Sequence, residues 1–131
     1  MKQIKYLIEE THSLVSYLVL SMSYAVDPDF EYKIGSIISN VIKRFSTRED
    51  VLGVIIYDLE GFPLASNLPP EESEMISAYA SHILSRAKLT VKSIVIAGEL
   101  KSVSIETATR ELLITPDQDM PLIFAVLRKL R

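Results

Sequence analysis

At 131 residues with 48% hydrophobic content, the chain is sized for one compact domain, which buries roughly two thirds of the surface of the extended chain. Its 14 basic and 17 acidic residues give a formal net charge of −3, and they are scattered without the basic stripe that a nucleic-acid backbone requires. The complete absence of cysteine excludes disulfides, thiolate metal sites and a cysteine nucleophile.

The first predicted element is a helix over residues 1–26, ahead of a main domain at residues 27–131. Apolar residues recur in it at intervals of three and four, namely at Ile4, Leu7, Ile8, Leu14, Val15, Leu18, Met22 and Ala25. Its longest uncharged run, residues 11–26, falls short of the roughly 20 apolar residues that span a bilayer, so we expect no transmembrane segment. Glu9 and Glu10 interrupt the pattern of a secretory leader, and a cytoplasmic location is the expectation.

A second helix is predicted to begin at Asp27, Pro28 and Asp29, which provide an N-cap, a proline at the first helical position and an early acid. One apolar stripe then continues through Phe30, Ile34, Ile37, Ile38, Val41, Ile42 and Phe45. Lys43 and Arg44 follow near the end, where the helix dipole favours positive charge.

Residues 51–57 form a nearly continuous β-branched and apolar run, which is typical of a strand covered on both faces. The run stops at the turn sequence Asp58-Leu59-Glu60-Gly61. Residues 62–66 are expected to return as a short antiparallel strand.

A third helix is predicted after the loop Asn67-Leu68-Pro69-Pro70, because Glu71, Glu72 and Glu74 suit the positive end of a helix dipole. Its predicted buried stripe consists of Met75, Ile76, Tyr79, Ala80, Ile83, Leu84 and Ala87. Basic residues follow towards its C-terminal end, as expected for the negative end of the dipole.

Three strands complete the predicted order of elements. Residues 94–97 are too few to classify, whereas residues 100–107 alternate apolar and polar side chains, as a half-exposed strand does. Residues 111–115 and 122–127 are two further strands, separated by the loop Pro116-Asp117-Gln118-Asp119. Because strands adjacent in sequence are expected to form hairpins, we predict an α/β (α+β) fold with a five-stranded antiparallel sheet flanked by helices.

The sequence offers little catalytic chemistry. Its four glycines are too dispersed for a phosphate-cradling loop, and His12 and His82 each lack a second ligand at metal-site spacing. Asp58 and Glu60 are better explained by a tight turn than by acid–base catalysis. We therefore expect no catalytic residue, no metal and no cofactor. Only two Asn and two Gln occur, a composition that suits a thermophilic or archaeal source.

Two stretches carry a family resemblance: VLGVIIYDLEGFPLASNLPPEESEMISAYASHIL, which begins at Val51, and VSIETATRELLITPDQDMPLIFAVLRK, which begins at Val103. They resemble the Roadblock and dynein-light-chain family over residues 51–129, together with the preceding helix from Phe30. The resemblance implies a profilin-like Roadblock sandwich that dimerises through a sheet edge and its long central helix. It also implies a regulator that binds Ras-like small GTPases or scaffold assemblies, and some bacterial relatives stimulate hydrolysis by a partner GTPase.

The residues themselves suggest where a second copy would bind. An open five-stranded sheet has two edges, and residues 100–107 are predicted to form the longer one, without proline. The other edge, at residues 62–66, is blunted by Pro63. On the third helix, a line of small side chains would let a second helix approach closely, although an ordinary solvent face explains that line equally well. The predicted interface consists of Ala78, Ser81, His82, Ser85, Leu89, Lys101, Val103 and Ile105.

Two departures from the family pattern accompany the resemblance: no helix is predicted after the last strand, and residues 1–26 form an additional one. The added helix is expected either to take the place of a terminal helix or to provide a self-association surface. The expected function is a non-catalytic homodimeric adaptor or regulator of a Ras-like small GTPase. The alternatives are a structural scaffold subunit of a larger assembly and a small-ligand or lipid-sensing module of PAS or longin type.

Overall fold

The computed structural model of the protein describes residues 30–94, 98–117 and 121–130. Within these ranges the elements are α1 (Phe30–Ser46), β1 (Val51–Asp58), β2 (Pro63–Ser66), α2 (Pro70–Ser93), β3 (Val103–Glu106), β4 (Arg110–Pro116) and β5 (Leu122–Lys129). The helix predicted over residues 1–26 and the helix start predicted at Asp27 lie outside the described residues. No helix in the described ranges is both long enough and apolar enough to span a bilayer.

The five strands form one sheet in the order β2-β1-β5-β4-β3. Every neighbouring pair is antiparallel, which confirms the predicted sheet. The chain forms β1 and β2 as one hairpin and the last three strands as a meander. The final strand then lies beside the first. Consequently β1 and β5 are central, and β2 and β3 are the two edges, as the sequence predicted.

Each face of the sheet has its own apolar core. The buried cluster on the α1 side consists of Val41, Phe45, Val54, Ile56, Leu113, Leu122, Phe124 and Val126. The buried cluster on the α2 side consists of Ile55, Tyr57, Ala80, Leu84, Ile114, Ile123 and Ala125. Successive residues of β1 and β5 alternate between the two clusters, because neighbouring side chains on a strand point to opposite faces. The double-sided burial predicted for residues 51–57 is found at residues 53–57, whereas Val51 is half-buried and Leu52 is exposed.

The edge strand β3 is shorter than the predicted strand at residues 100–107. It spans Val103–Glu106, four residues, the same length as β2, so the prediction that it would be the longer edge is wrong. Residues 100–102 are not paired in the described sheet. At the C-terminal end, the reason lies in the hairpin that follows. The Thr107 backbone N–H donates to Arg110 O at 2.8 Å, and the Arg110 N–H donates to Thr107 Oγ1 at 3.1 Å. Thr107 therefore belongs to the turn and not to the strand.

One carboxylate is buried at one end of the β3–β4–β5 meander. Glu111 is 1% exposed, and its two oxygens accept from Arg128 Nε at 2.7 Å and from Ser104 Oγ at 2.9 Å. Arg128 also lies 3.6 Å from Asp50, which accepts from Arg48 Nε at 3.3 Å. A polar network thus joins β3, β4 and β5 to the segment between α1 and β1.

The surroundings of Glu111 have opposing effects on its pKa. Burial raises the pKa, but the hydrogen bonds from Arg128 and Ser104 and the charge of Arg128 outweigh it. The pKa of Glu111 therefore lies below its ordinary value, and the folded protein favours the ionised carboxylate.

Replacing Glu111 by glutamine should lower the free energy of unfolding by about 3 kcal/mol, because Arg128 loses its closest counter-charge in a largely buried position. Urea denaturation at pH 7 measures the change. Glu72→Gln is the matched control, since Glu72 is exposed in the first turn of α2 and its loss should change stability by no more than about 0.5 kcal/mol.

The same carboxylate should make the protein less stable in acid. Because its folded pKa is below its unfolded value of 4.5, its stabilisation is present above that value and is lost as the pH falls through the folded pKa. Urea midpoints for the wild type should drop more steeply across this range than those for Glu111→Gln. Parallel pH curves for the two proteins would show that another group is responsible.

Candidate interaction surface

The turn between β1 and β2 is fixed by one aspartate. Asp58 Oδ1 accepts from the backbone N–H groups of Glu60 at 3.0 Å and Phe62 at 2.9 Å. Gly61 donates to Asp58 O at 3.0 Å and has φ +93°, a left-handed conformation that favours glycine. The predicted turn is confirmed. The Asp58 carboxylate accepts hydrogen bonds from the backbone of the turn, as the sequence pattern indicated.

Two buried serines attach α2 to this hairpin. Ser77 Oγ donates to Gly61 O at 2.9 Å, and Ser73 Oγ donates to Ser66 Oγ at 2.7 Å. Ser73 and Ser77 are 3% and 0% exposed. Their hydroxyls satisfy polar groups that an apolar side chain would leave unpaired, and their small size lets α2 lie close to β2.

The buried stripe predicted for α2 is therefore partly wrong. Met75 and Tyr79, which were assigned to it, are 54% and 67% exposed. Ile76, Ile83 and the other members of the stripe are buried or half-buried, as predicted. The buried face of α2 is rotated towards Ser73 and Ser77 because their partners are on β2 and the turn. Hydrogen bonds to partners that distant in sequence cannot be predicted from the spacing of apolar residues along the helix.

The buried face of α2 has a flank on each side. Ser77 contacts the β1–β2 turn, and Ser81, four residues later, lies 3.4 Å from where a Cβ on Gly61 would be. Ile76 and Ile83 instead pack against the buried cluster on the α2 side of the sheet, which contains residues of β1, β4 and β5. Tyr79 lies three residues after Ile76 and four residues before Ile83, so it is on the same side of the helix as these two residues. We call these the β2 flank and the β4 flank.

The predicted interface residues fall into two groups. Ala78, His82, Ser85 and Leu89 are exposed on α2, and Ser81 is half-buried. Lys101 and Ile105 are exposed at or beside β3, and Val103 is half-buried. The small-residue line of Ala78, Ser81 and Ser85 follows the β2 flank, whereas β3 is the opposite edge. Leu89, further along α2, lines the same depression as Leu100, the neighbour of Lys101. Tyr79, which spacing alone had placed in the core, is exposed on α2.

Depressions border α2 towards both of its ends. One, of about 430 Å³, lies between the β1–β2 turn and the first half of the helix. We call it the turn groove, and it is lined by Glu60, Gly61, Phe62, Pro63, Glu74, Ala78, Ser81 and His82. The other, of about 480 Å³, lies at the C-terminal end of α2 and is lined by Lys88, Leu89, Val91, Lys92, Gly98, Glu99, Leu100, Pro116 and Asp117.

Clusters of metal-binding side chains are absent from the described part of the chain. Across residues 30–94, 98–117 and 121–130, no three His, Asp or Glu side chains come together in a way that could hold a metal ion. His82 is exposed on α2, and His12 lies outside the described residues.

Tyr57 lies in the buried cluster on the α2 side of the sheet. It is 0% exposed, and burial raises the pKa of its hydroxyl above the ordinary value. Its hydroxyl has no hydrogen-bond partner among the described residues. A buried, unpaired hydroxyl costs about 1–3 kcal/mol of folding free energy.

Known proteins share this architecture. The Roadblock/LC7 domain family matches residues 37–127. MglB of Myxococcus xanthus is 17% identical with a TM-score of 0.63, over 72% of this chain and 76% of that one. A Roadblock/LC7 domain from Streptomyces avermitilis is 16% identical with a TM-score of 0.59, over 65% and 71%. The gliding protein MglB from Thermus thermophilus is 12% identical with a TM-score of 0.59, over 70% of each. At these identities the solved structures establish the fold alone.

Replacing Tyr57 by phenylalanine should leave the free energy of unfolding unchanged or raise it by about 1 kcal/mol, because the variant removes an unpaired hydroxyl and keeps the ring. Urea denaturation measures it, with Tyr79→Phe at an exposed position as the control. A loss above about 1 kcal/mol would mean that the hydroxyl is satisfied in solution, for example by an internal water.

Proposed function

The chain belongs to the Roadblock/LC7 domain family, and on that basis we propose that it is a non-catalytic homodimeric adaptor or regulator of a Ras-like small GTPase in the cytoplasm. The observation that carries the proposal is the edge strand β3, which among the described strands is bonded on one side only and which exposes 39% of Ile105. Such an edge favours pairing with another chain. The family resemblance supplies the expectation of a GTPase partner.

A second copy fits the β3 edge better than the β2 edge. β2 begins at Pro63, which lacks a backbone donor, whereas β3 contains no proline and exposes 39% of Ile105. An antiparallel register centred on Ser104 would set Val103 of each copy opposite Ile105 of the other. Cross-strand pairs of β-branched residues stabilise sheets, and such a two-fold contact closes without further growth.

The β4 flank of α2 would face the same two-fold axis. Tyr79, 67% exposed, lies on this flank and offers a large apolar ring with a polar tip, a side chain enriched in protein interfaces. The small-residue line on the β2 flank would face away from the axis. Within the interface proposed from the sequence, we therefore keep Lys101, Val103 and Ile105 and add Tyr79.

Ile105→Glu should convert the dimer to a monomer, because it places a charge in the pairing strand beside Glu106. Light scattering after gel filtration should show the mass falling from twice the chain mass to the 14.7 kDa of one chain. Tyr79→Glu should weaken the dimer in the same assay. Ser85→Glu, on the β2 flank, is the matched control and should remain dimeric. The reverse pattern would move the interface to the small-residue line.

The GTPase partner is tested with the Ras-like GTPase encoded nearest to this protein, loaded with GDP or with a non-hydrolysable GTP analogue. Binding that depends on the nucleotide, measured by calorimetry, is the expected result for a regulator. Hydrolysis of GTP with and without the protein shows whether the partner is stimulated. Absence of binding to either form would favour the structural scaffold subunit instead.

A small-ligand-sensing module is a second candidate, favoured by the 480 Å³ depression at the end of α2. Its size is within the range of ligand pockets, and it combines apolar residues with Lys88 and Lys92. Native mass spectrometry of the purified protein would reveal a bound small molecule. A single mass equal to that of the polypeptide would remove this candidate.

A further inference from the structure

The charges of this protein are segregated along the chain. Between Arg48 and Arg86 there is no lysine or arginine, but there are seven carboxylates. Asp50 is paired with Arg48 and Arg128, and Asp58 holds the β1–β2 turn. The remaining acids of the turn and of the start of α2 are exposed. These exposed carboxylates therefore have no lysine or arginine among their neighbours in sequence.

The turn groove combines that acidity with exposed apolar side chains. Glu60 and Glu74 lie among its lining residues, together with Phe62, which is 67% exposed. Leu59 and Leu64, on either side of Phe62 in sequence, are each 52% exposed. Large apolar side chains that stay in water beside a concave surface are typical of protein contact sites.

The walls of the turn groove are held in place by hydrogen bonds. The turn is fixed by Asp58, and Ser77 bonds the helix to Gly61 at 2.9 Å. A site whose backbone is already ordered loses less conformational entropy when a partner binds.

We propose that the turn groove binds a basic amphipathic segment of a partner protein. The apolar side chains of such a segment would cover Phe62 and Leu64, and its lysines or arginines would face Glu60 and Glu74. Nucleic acids and anionic membranes are repelled by the same carboxylates. Two copies of this chain meeting groove to groove about a two-fold axis would bring like charges together.

The proposal is independent of GTPase binding and of the proposed dimer. β2 and the turn border one edge of the sheet, and β3 is the other. A partner in the turn groove would therefore not compete with pairing at β3.

Fluorescence anisotropy with the full chain tests the proposal. The probe is a labelled peptide of leucine and lysine in a helical amphipathic pattern, about five turns long, and the matched peptide has glutamate at every lysine position. The basic peptide should bind and the acidic peptide should not. Binding should weaken strongly between about 0.05 and 0.5 M salt, because exposed charge pairs are screened.

Variants locate the binding to the groove. Phe62→Ser removes an exposed anchor and should weaken binding about tenfold, a typical effect for an aromatic anchor at an interface. Glu60→Lys combined with Glu74→Lys should weaken it at least as much. The matched control combines Glu49→Lys with Glu99→Lys, which changes the net charge equally at exposed sites outside the groove, and it should retain most of the affinity.

Three results would overturn the proposal. Equal losses in the groove and control charge variants would mean that the peptide senses only net charge. Unchanged binding by Phe62→Ser would place the contact elsewhere. Oligomers larger than a dimer that disappear in Glu60→Lys/Glu74→Lys would make a second copy the occupant. Urea denaturation of each variant at pH 7 establishes that the fold is retained.

Discussion

The pairing of β1 with β5 is the constraint on which the rest of the structure depends. Val54 to Tyr57 of the first strand and Ile123 to Val126 of the last are 0–2% exposed and lie opposite one another. Because side chains alternate across both strands, this one ladder supplies the centre of both apolar clusters. It also forces the β1–β2 hairpin to one side of the sheet and the β4–β3 hairpin to the other. The two edges of the molecule are therefore separated by the most buried part of the fold.

Polar groups fix the register that apolar burial alone leaves approximate. Glu111 and Arg128 are direct partners across β4 and β5, and Ser104 joins the same carboxylate from β3. A slip of one residue would turn Glu111 towards the opposite apolar face without its cation, at a cost of several kcal/mol. The position of the β3 edge is thus set by a charged network and not by its four residues alone. On the other edge, the serines of α2 have the same role, with neutral hydrogen bonds.

The sequence was sufficient where a residue's environment depends on its near neighbours. The apolar run at residues 51–57 and the Asp58 turn were both predicted, because burial of a continuous strand and capping of a tight turn leave local patterns. The burial of Ser77 and the exposure of Tyr79 could not be predicted from apolar spacing. The hydroxyl of Ser77 bonds to Gly61, sixteen positions away, and this bond sets which face of α2 is buried. The C-terminal end of β3 was missed for a similar reason. The apolar and polar alternation continues to Thr107, but the hydrogen bonds of Thr107 to Arg110 place it in the turn.

The separation of the two edges has a consequence for the proposed dimer. A dimer joined at β3 would place one turn groove at each far end, related by the two-fold axis. Two equal sites held at a fixed distance bind a partner that carries two basic segments much more tightly than either site alone, provided that the spacing matches. Each dimer would then carry two acidic turn grooves. A monomer would have one groove and would bind such a partner with the affinity of a single site. The affinity for a partner with two basic segments would therefore depend on dimerisation at β3, although the partner does not contact β3.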